Sequence, residues 1–323
     1  MYVILLCVEC GATIFIFWPV LLENSNANNS ACSGNTDLVH AYMNPVWETT
    51  NVFLVFAIVS LIALFPAATP VWGAALIVPF FIFLVVAAVR VTGMLYVFYR
   101  NGNSRAMKAM LFIAAMLAPA VLLGGTVPFF LTGALPHDAS TWELAIAIGL
   151  FGAAGVISFS TLFFDYARAK RGANNRDANN NHSTATLKHS SPLRALTIAS
   201  FSVLLACFAL AELFLYRAAP HAFSWTALYA AAALGLITLA LLMLVKKSGR
   251  VTTAIKFLLG ALFFGVVYFG VVFAQLPYVV YPTLTVLNSF TDPQSAIVLL
   301  SVFAVGIVIT VPALILLYFL FAA

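Results

Sequence analysis

Long apolar stretches are the feature that most limits how this 323-residue chain can fold. Several runs approach or exceed the ~20 residues that an α-helix needs to cross the hydrocarbon core of a bilayer. Lipid offers no partner to an unpaired backbone N–H or C=O group, so each run is predicted to be helical. The sequence therefore predicts an all-α, polytopic membrane helical bundle of about nine transmembrane helices. The runs fall at about 2–22, 46–66, 70–99, 106–131, 141–167, 194–217, 222–246, 253–275 and 294–321.

The overall composition favours the same class of protein. Hydrophobic residues make up 63% of the chain and charged residues only 8%, as in integral membrane proteins. In that class a net charge of +5 indicates basic loops, so no nucleic-acid partner is predicted. The first run has no basic segment before it and no small-residue cleavage site after it. We expect it to be a spanning helix and not a removed signal peptide.

The basic residues predict the orientation of the bundle. All but one of the 15 Lys and Arg residues lie around the third, fifth and seventh connections, and the exception is Arg217. The positive-inside rule puts those connections in the cytoplasm. This predicts a protein of the cell (cytoplasmic) membrane with its N-terminus outside and its C-terminus cytoplasmic. The polar, Asn- and Ser-rich segment 172–193 is predicted to be a flexible cytoplasmic linker between five helices in 1–171 and four in 194–323.

Residues that commonly hold metals or haem are poorly placed for either task. Cys7 and Cys10 lie inside the first run without further ligands at suitable spacing, so we interpret them as packing residues. A haem buried in a bundle needs an axial ligand that projects from a helix, and every histidine lies in a connection or at a helix end. Four methionines could each be a single ligand, but methionine in a membrane helix is far more often a packing residue; they are Met94, Met110, Met116 and Met243. We therefore predict no metal and no haem ligand in this chain. The histidines are His40, His137, His182, His189 and His221.

Glu48 stands at the mouth of the second run, next to Trp47. One interpretation is structural. Trp47 is then an interfacial aromatic residue, and Glu48 is an acid in the first helical turn, where the helix dipole favours negative charge. The other interpretation is that Glu48 takes up protons at a membrane entrance. Physical arguments alone favour the structural interpretation.

Charged residues inside the apolar runs are costly and therefore informative. Arg90 closes the third run near the predicted cytoplasmic side, where its long side chain could snorkel to the surface. Glu9 lies well inside the first run and could pair with another helix, bind a proton or be hydrogen-bonded structure. Glu212 and Arg217 lie near the outer end of the sixth run, but a spacing of five is not favourable for a pair.

The segment after Pro45 resembles a known family. In subunit II of cytochrome bd-type quinol oxidases, the second helix opens with Trp-Asp-Gly-Asn-x-Val-Trp and closes with an aromatic-Pro pair. This chain has Trp47-Glu48-Thr49-Thr50-Asn51-Val52-Phe53 and then Phe65-Pro66, with the same spacing from motif to Pro. Trp47 and Val52 match the motif, Glu48 stands at the position of its Asp, and Asn51 lies one position after its Asn.

Further segments strengthen the resemblance. Arg90-Val91-Thr92-Gly93 matches an Arg-x-x-Gly at the end of the family's third helix, although Leu95 replaces the acid that follows there. The Pro, Gly and terminal Gly of segment 117–133 resemble the fourth helix, and segment 277–312 resembles the last outer loop and closing helix. The order and spacing of these pieces carry the resemblance.

The resemblance implies a specific role. In the family, a haem-bearing subunit I pairs with a haem-free subunit II, with or without a small accessory membrane subunit. The respiratory complex oxidises ubiquinol or menaquinol, reduces dioxygen to water and takes protons from the cytoplasm. Haems b and d are then expected in the partner, a structural quinone in some members, and proton uptake at Glu48. The alternatives are a secondary transporter, disfavoured by the five-plus-four division of helices, and a membrane anchor of another quinone-linked complex.

Overall fold

The computed structural model contains a membrane helical bundle. Within the part of the chain that it describes, six helices are long and apolar enough to cross a membrane, and two shorter apolar helices accompany them. The described residues of the first apolar run are helical as well. The predicted polytopic helical architecture is therefore confirmed. The described residues are 6–7, 10–11, 14, 54–56, 58–100, 105–178, 191–244 and 250–322.

The helices with defined bounds follow the apolar runs closely. The predicted linker 172–193 is shorter than expected, because α4 continues to Ala178 and α5 begins at Ser191. Residues 179–190 of that segment lie outside the described residues. In chain order the helices are α1 (Leu54–Leu64), α2 (Thr69–Arg100), α3 (Arg105–Thr132), α4 (Ala139–Ala178), α5 (Ser191–Ala218), α6 (Trp225–Leu244), α7 (Arg250–Gln275), α8 (Val286–Ser289) and α9 (Pro293–Ala322).

Helix α4 is the central element of the bundle. In its spanning part 67% of the residues are buried, against 17% to 39% in the other five long helices. Helices α3, α5 and α7 all pack against it. The outer helices present apolar side chains outward, as helices that face lipid or a membrane partner must. The interior of the bundle is therefore organised around residues 139–163.

Small residues let the neighbouring helices approach one another. A Cβ atom added at Gly124 would lie 2.6 Å from the carbonyl oxygen of Ala145. One added at Gly152 would lie 2.9 Å from the Leu123 side chain. Such close backbone approach drives helix association in membranes, where the hydrophobic effect between helices is weak. The α3–α4 contact thus depends on glycine on both helices.

Polar side chains join α4 to α5 within the bundle. The Ser158 hydroxyl donates to the carbonyl oxygen of Ser200 over 3.2 Å. The hydroxyls of Thr161 and Ser200 lie 2.9 Å apart and share a hydrogen bond. These groups are buried, and burying an unpaired hydroxyl costs about 1–3 kcal/mol. The pairing fixes the rotation of the two helices as well as their separation.

A small β-hairpin lies in the connection that follows α7. Strands β1 (Tyr278–Val280) and β2 (Leu284–Thr285) pair antiparallel. Thr285 then caps the single-turn helix α8, because its hydroxyl accepts the N–H of Asn288 at 3.3 Å. These strands were not predicted from the sequence. We call the end of the bundle that carries them the hairpin end; it is also where α1, α3, α5 and α7 terminate.

The hairpin is fixed to the last turn of α3. The Gln275 amide donates to the carbonyl oxygen of Phe130 at 2.5 Å, and the Tyr281 N–H donates to the same oxygen at 3.3 Å. Gly133, which follows α3, has φ +75°, a conformation that favours glycine. A Cβ atom there would collide with the carbonyl oxygen of Tyr281. Glycine is therefore required at this contact for two separate reasons.

Candidate functional site

The predicted site residues divide into two groups. Glu9, Trp47, Glu48 and Asn51 lie outside the described residues, so the roles predicted for them stay predictions. Arg90 and Gly93 are described, and both lie on α2.

Arg90 is held inside the bundle. Its side chain is only 4% exposed, and its Nη1 atom donates to the sulfur of Cys10 at 2.8 Å. The sequence pattern places Arg90 at the end of its apolar run, where its side chain could snorkel to the surface. The predicted end is wrong, because α2 continues to Arg100, and the buried side chain does not snorkel. In the structure it is an interior charge.

Cys10 and Cys7 lie in the first apolar run, which precedes α1. Cys10 contacts α2, and Cys7 contacts α4. Both cysteines are completely buried in the main core cluster, in agreement with their interpretation as packing residues. The Cys7 thiol points toward the carbonyl oxygen of Gly152, with sulfur and oxygen 4.0 Å apart. A Cβ atom at Gly11 would lie 2.8 Å from the Cβ of Phe159 on α4. The charge of Arg90 therefore lies where three helices meet.

Gly93 provides a close contact one turn after Arg90. A Cβ atom at this position would lie 2.9 Å from Leu111 Cδ2 on α3. Residues three apart on a helix share a face. The Arg-x-x-Gly spacing thus places a buried cation beside a close approach of α2 and α3.

The arrangement around Arg90 suits a fixed positive charge. Arginine keeps its proton in proteins, so it can attract or orient an anionic group but cannot carry protons itself. A charge in a membrane interior needs polar partners, and the Cys10 sulfur is one of them.

Lys256 is a buried cation that was not recognised as one from the sequence. It was counted with the basic residues around the seventh connection, but it lies in α7 and is only 5% exposed. Thr253, one turn earlier, is fully buried. The sequence did contain a signal of this burial, because the apolar run 253–275 includes Lys256.

Glu212 lies on α5 beside a small cavity at the hairpin end. The structure records no ion pair between its described side chain and that of Arg217, as the spacing of five predicts. The Arg217 guanidinium carbon instead lies 6.0 Å from the ring centroid of Phe214. Glu212 is therefore a carboxyl group without a neighbouring counter-charge on the described part of its own helix.

Two of the five histidines, His137 and His221, lie in the part of the chain that the structure describes. Among the described residues, no group of three His, Cys, Asp or Glu side chains is close enough to hold a metal. His137 is exposed beside the start of α4, and the His221 ring stacks on Tyr281 with 3.7 Å between ring centroids. Both lie at the hairpin end and not within a spanning helix. An axial haem ligand must project from such a helix into the bundle.

Comparison with known proteins gives consistent matches along nearly the whole chain. The family model for cytochrome bd terminal oxidase subunit II matches residues 1–321. The putative cytochrome bd menaquinol oxidase subunit II of Bacillus subtilis (strain 168) is 25% identical over 334 residues, covering 96% of this chain and 88% of that protein. A chain in the structure of bd oxidase from Geobacillus thermodenitrificans has the same fold, with a TM-score of 0.73 at 23% identity, covering 99% of this chain and 94% of that chain.

Proposed function

The chain belongs to the cytochrome bd terminal oxidase subunit II family, and we propose that it is the haem-free partner in a quinol-oxidising membrane complex. In such a complex quinol gives up electrons and protons, and dioxygen takes up both to become water. The observation that carries this proposal is the family match over residues 1–321. The matching family model describes neither a secondary transporter nor a membrane anchor of another quinone-linked complex.

The partner of this chain would be the haem-bearing subunit I. Haems b and d would be bound there, because no histidine of this chain lies within an apolar run. The outward apolar surface supports such a partner. In the spanning parts of α2 and α7 only 17% of the residues are buried within the chain, so both helices have ample apolar surface for lipid or a second membrane subunit. A small accessory membrane subunit and a structural quinone are further components that the family role allows.

The substrate would be a quinol dissolved in the membrane. Menaquinol is our first choice, because the Bacillus relative carries that substrate in its name. Ubiquinol is the alternative. The two differ in ring system and in reduction potential, so steady-state oxygen uptake with each quinol separates them.

Glu48 would take up protons for dioxygen reduction from the cytoplasmic side. Glu48 stands at the position of an Asp in the family motif, directly after Trp47 and three residues before Asn51. A glutamate keeps the carboxyl group of that Asp on a side chain one methylene longer, so proton transfer remains chemically available. Arg90 and Gly93 would then fix the packing of α2 against its neighbours. Glu9 would supply a second carboxyl group within the helix of the first apolar run.

The orientation proposed from the basic residues is consistent with this role. The hairpin end would face the outside, and the ends of α2, α4 and α6 would face the cytoplasm. Proton uptake at Glu48 then requires access from the cytoplasmic side of the second apolar run.

Co-purification tests the proposal directly. The chain should be tagged in its native host and purified in mild detergent, and the sample should contain a haem-bearing membrane protein encoded beside it. The expected result is a b- and d-type haem spectrum and oxygen uptake driven by menaquinol. Deletion of this chain should abolish that uptake. Purification of the tagged chain without any haem protein, together with unchanged quinol oxidation in the deletion strain, would overturn the proposal.

A further inference from the structure

A narrow cavity and a wider cleft adjoin at the hairpin end, and Glu212 lines the inner of the two. The inner cavity has a volume of about 10 Å³ and lies between α5, the start of α6 and α7. The adjoining cleft has a volume of about 340 Å³ and shares Ser224, Ala227 and Gly270 with it. The outer cleft reaches exposed residues such as Thr226 and Phe273. Glu212 thus lines a cavity that shares three wall residues with a cleft open to the surface of the bundle.

The inner cavity has the size and polarity to hold one water molecule. A water needs about 10–15 Å³ and two to four polar partners, and the cavity volume of about 10 Å³ reaches that limit. Glu212 and Ser224 are polar residues on its wall. The Ser224 hydroxyl lies 2.9 Å from the Thr226 hydroxyl, oxygen to oxygen. Polar residues therefore line both the inner cavity and the outer cleft.

The fold does not use the Glu212 carboxyl group as a structural acceptor. None of the described residues donates a hydrogen bond to it, and no described cation pairs with it. Ionisable residues within spanning helices are expensive and usually face a partner or a water-filled cavity. An ionised carboxylate here would lack a counter-charge, whereas the neutral acid costs much less to bury.

Other titratable groups near this end do not line the cavity. Among the described residues on its wall, Glu212 is the only titratable one. On the surrounding elements, Arg217 faces Phe214, the His221 ring stacks on Tyr281, and Tyr268 packs against Phe269. Tyr278 is half-buried and packs against Tyr281, whereas Tyr216 on α5, Tyr229 on α6 and Glu143 on α4 are exposed. A change in protonation inside the cavity is therefore a change at Glu212.

We propose that Glu212 is a proton-binding site that exchanges with the hairpin-end side of the membrane through one water and the hydroxyls of Ser224 and Thr226. The proton binds a carboxylate oxygen of Glu212 and leaves by the same path, so no bond other than O–H forms or breaks. The site is separate from the predicted uptake at Glu48, which lies on a different apolar run. The assignment of Glu212 as a proton-binding site rests on the geometry of this cavity and does not depend on the quinol oxidase role.

Labelling with a hydrophobic carbodiimide tests whether Glu212 carries a proton. Such reagents modify protonated carboxyl groups in apolar surroundings and spare ionised ones in water. The complex in native membranes should be treated at neutral and at alkaline pH, and the peptides should be mapped by mass spectrometry. We expect label on Glu212 at neutral pH, several-fold above that on the exposed Glu143, and a loss of label as pH rises. Equal labelling of both residues, or none on Glu212, would overturn the proposal.

Two further measurements distinguish a proton site from a cation site and test the path. Infrared spectra of the complex should contain a protonated carboxyl band that disappears in Glu212→Gln, a variant of matched size, and persists in Glu143→Gln. Ser224→Ala should slow hydrogen–deuterium exchange of that band several-fold, because one hydroxyl of the path is removed. Exchange at an unchanged rate would contradict the path. Suppression of the carbodiimide label by sodium ions at constant pH would identify a cation site instead and would likewise overturn the proposal.

Discussion

Individual charged residues inside the bundle are accommodated in different ways. Arg90 is buried and hydrogen-bonded, and it sits beside the glycine that brings α3 close to α2. Glu212 has no described hydrogen-bond donor and faces a cavity. The first arrangement stabilises a particular packing of helices, whereas the second leaves a carboxyl group free to gain or lose a proton. Substitutions at these two positions should therefore affect different properties of the protein.

Arg90→Met should destabilise the protein with little change in volume. The variant removes a charged donor from the Cys10 sulfur, and hydrogen bonds to charged groups contribute about 1.5–3 kcal/mol. The thermal unfolding midpoint of the purified complex is the appropriate measurement. Arg217→Met is the matched control, because Arg217 is exposed at the end of α5. Equal midpoints for the two variants would contradict a stabilising role for Arg90.

Glu48→Gln should leave assembly intact and slow dioxygen reduction by the complex. Gln cannot exchange a proton, so uptake would have to use a slower route. Glu48→Asp keeps a carboxyl group and should retain much of the activity. Oxygen uptake by the purified complex at neutral and mildly alkaline pH measures both effects. Full activity of Glu48→Gln would refute proton uptake there, and failure of that variant to assemble would favour the structural helix-start interpretation.

At the scale of secondary-structure elements, the contact of the hairpin with α3 gives the sharpest prediction. Gly133→Ala should destabilise the hairpin end, because Gly133 has φ +75° and a Cβ atom would meet the Tyr281 carbonyl oxygen. The left-handed conformation alone costs about 1–2 kcal/mol for a residue with a Cβ atom. Faster limited proteolysis in the connection after α7 and a lower unfolding midpoint would report the change.

Gly73→Ala is the control for that substitution. Gly73 lies on α2, and a Cβ atom there would meet nothing within 4 Å among the described residues. Within a helix, Ala is favoured over Gly by about 0.5–1 kcal/mol. The control should therefore be neutral or slightly stabilising. A loss of stability equal to that of Gly133→Ala would mean that the Tyr281 contact is not the cause.

The sequence predicts elements better than it predicts contacts between them. Helix positions follow from apolar run length, because lipid allows few other structures. The central position of α4 does not follow from run length, because it depends on which small residues face which helix. Arg90 was expected at a surface for the same reason, since the burial of a long side chain is set by neighbours distant in sequence. The β-hairpin was missed because its strands contain at most three residues.

The orientation of the connections can be tested one loop at a time. Single cysteines at His137 and Lys247, placed in a background without native cysteines, should react with a membrane-impermeant maleimide from opposite sides. His137→Cys should be labelled in intact cells, and Lys247→Cys only after the membrane is opened, because basic connections stay in the cytoplasm. The reverse pattern would invert the proposed orientation and place the hairpin end inside.

At the scale of the whole molecule, the chain is one part of a larger assembly. In α2 and α7 only 17% of the residues in the spanning part are buried, while the interior around α4 is well packed. The chain thus has a stable core of its own and a wide apolar exterior. A haem needs axial ligands on helices that face a pocket, and this chain has no histidine within its apolar runs.

The chain expressed alone should therefore fold into the membrane without haem. Its circular dichroism spectrum should be strongly helical, and its absorption spectrum should have no stoichiometric b-type or d-type bands. Co-expression with the proposed haem-bearing partner should give those bands in the purified complex, with the haem bound to the partner after separation of the subunits. A stoichiometric haem spectrum from the isolated chain would contradict the prediction. Because every histidine would then have to ligate from a connection or a helix end, replacement of each of the five histidines in turn would identify the ligand.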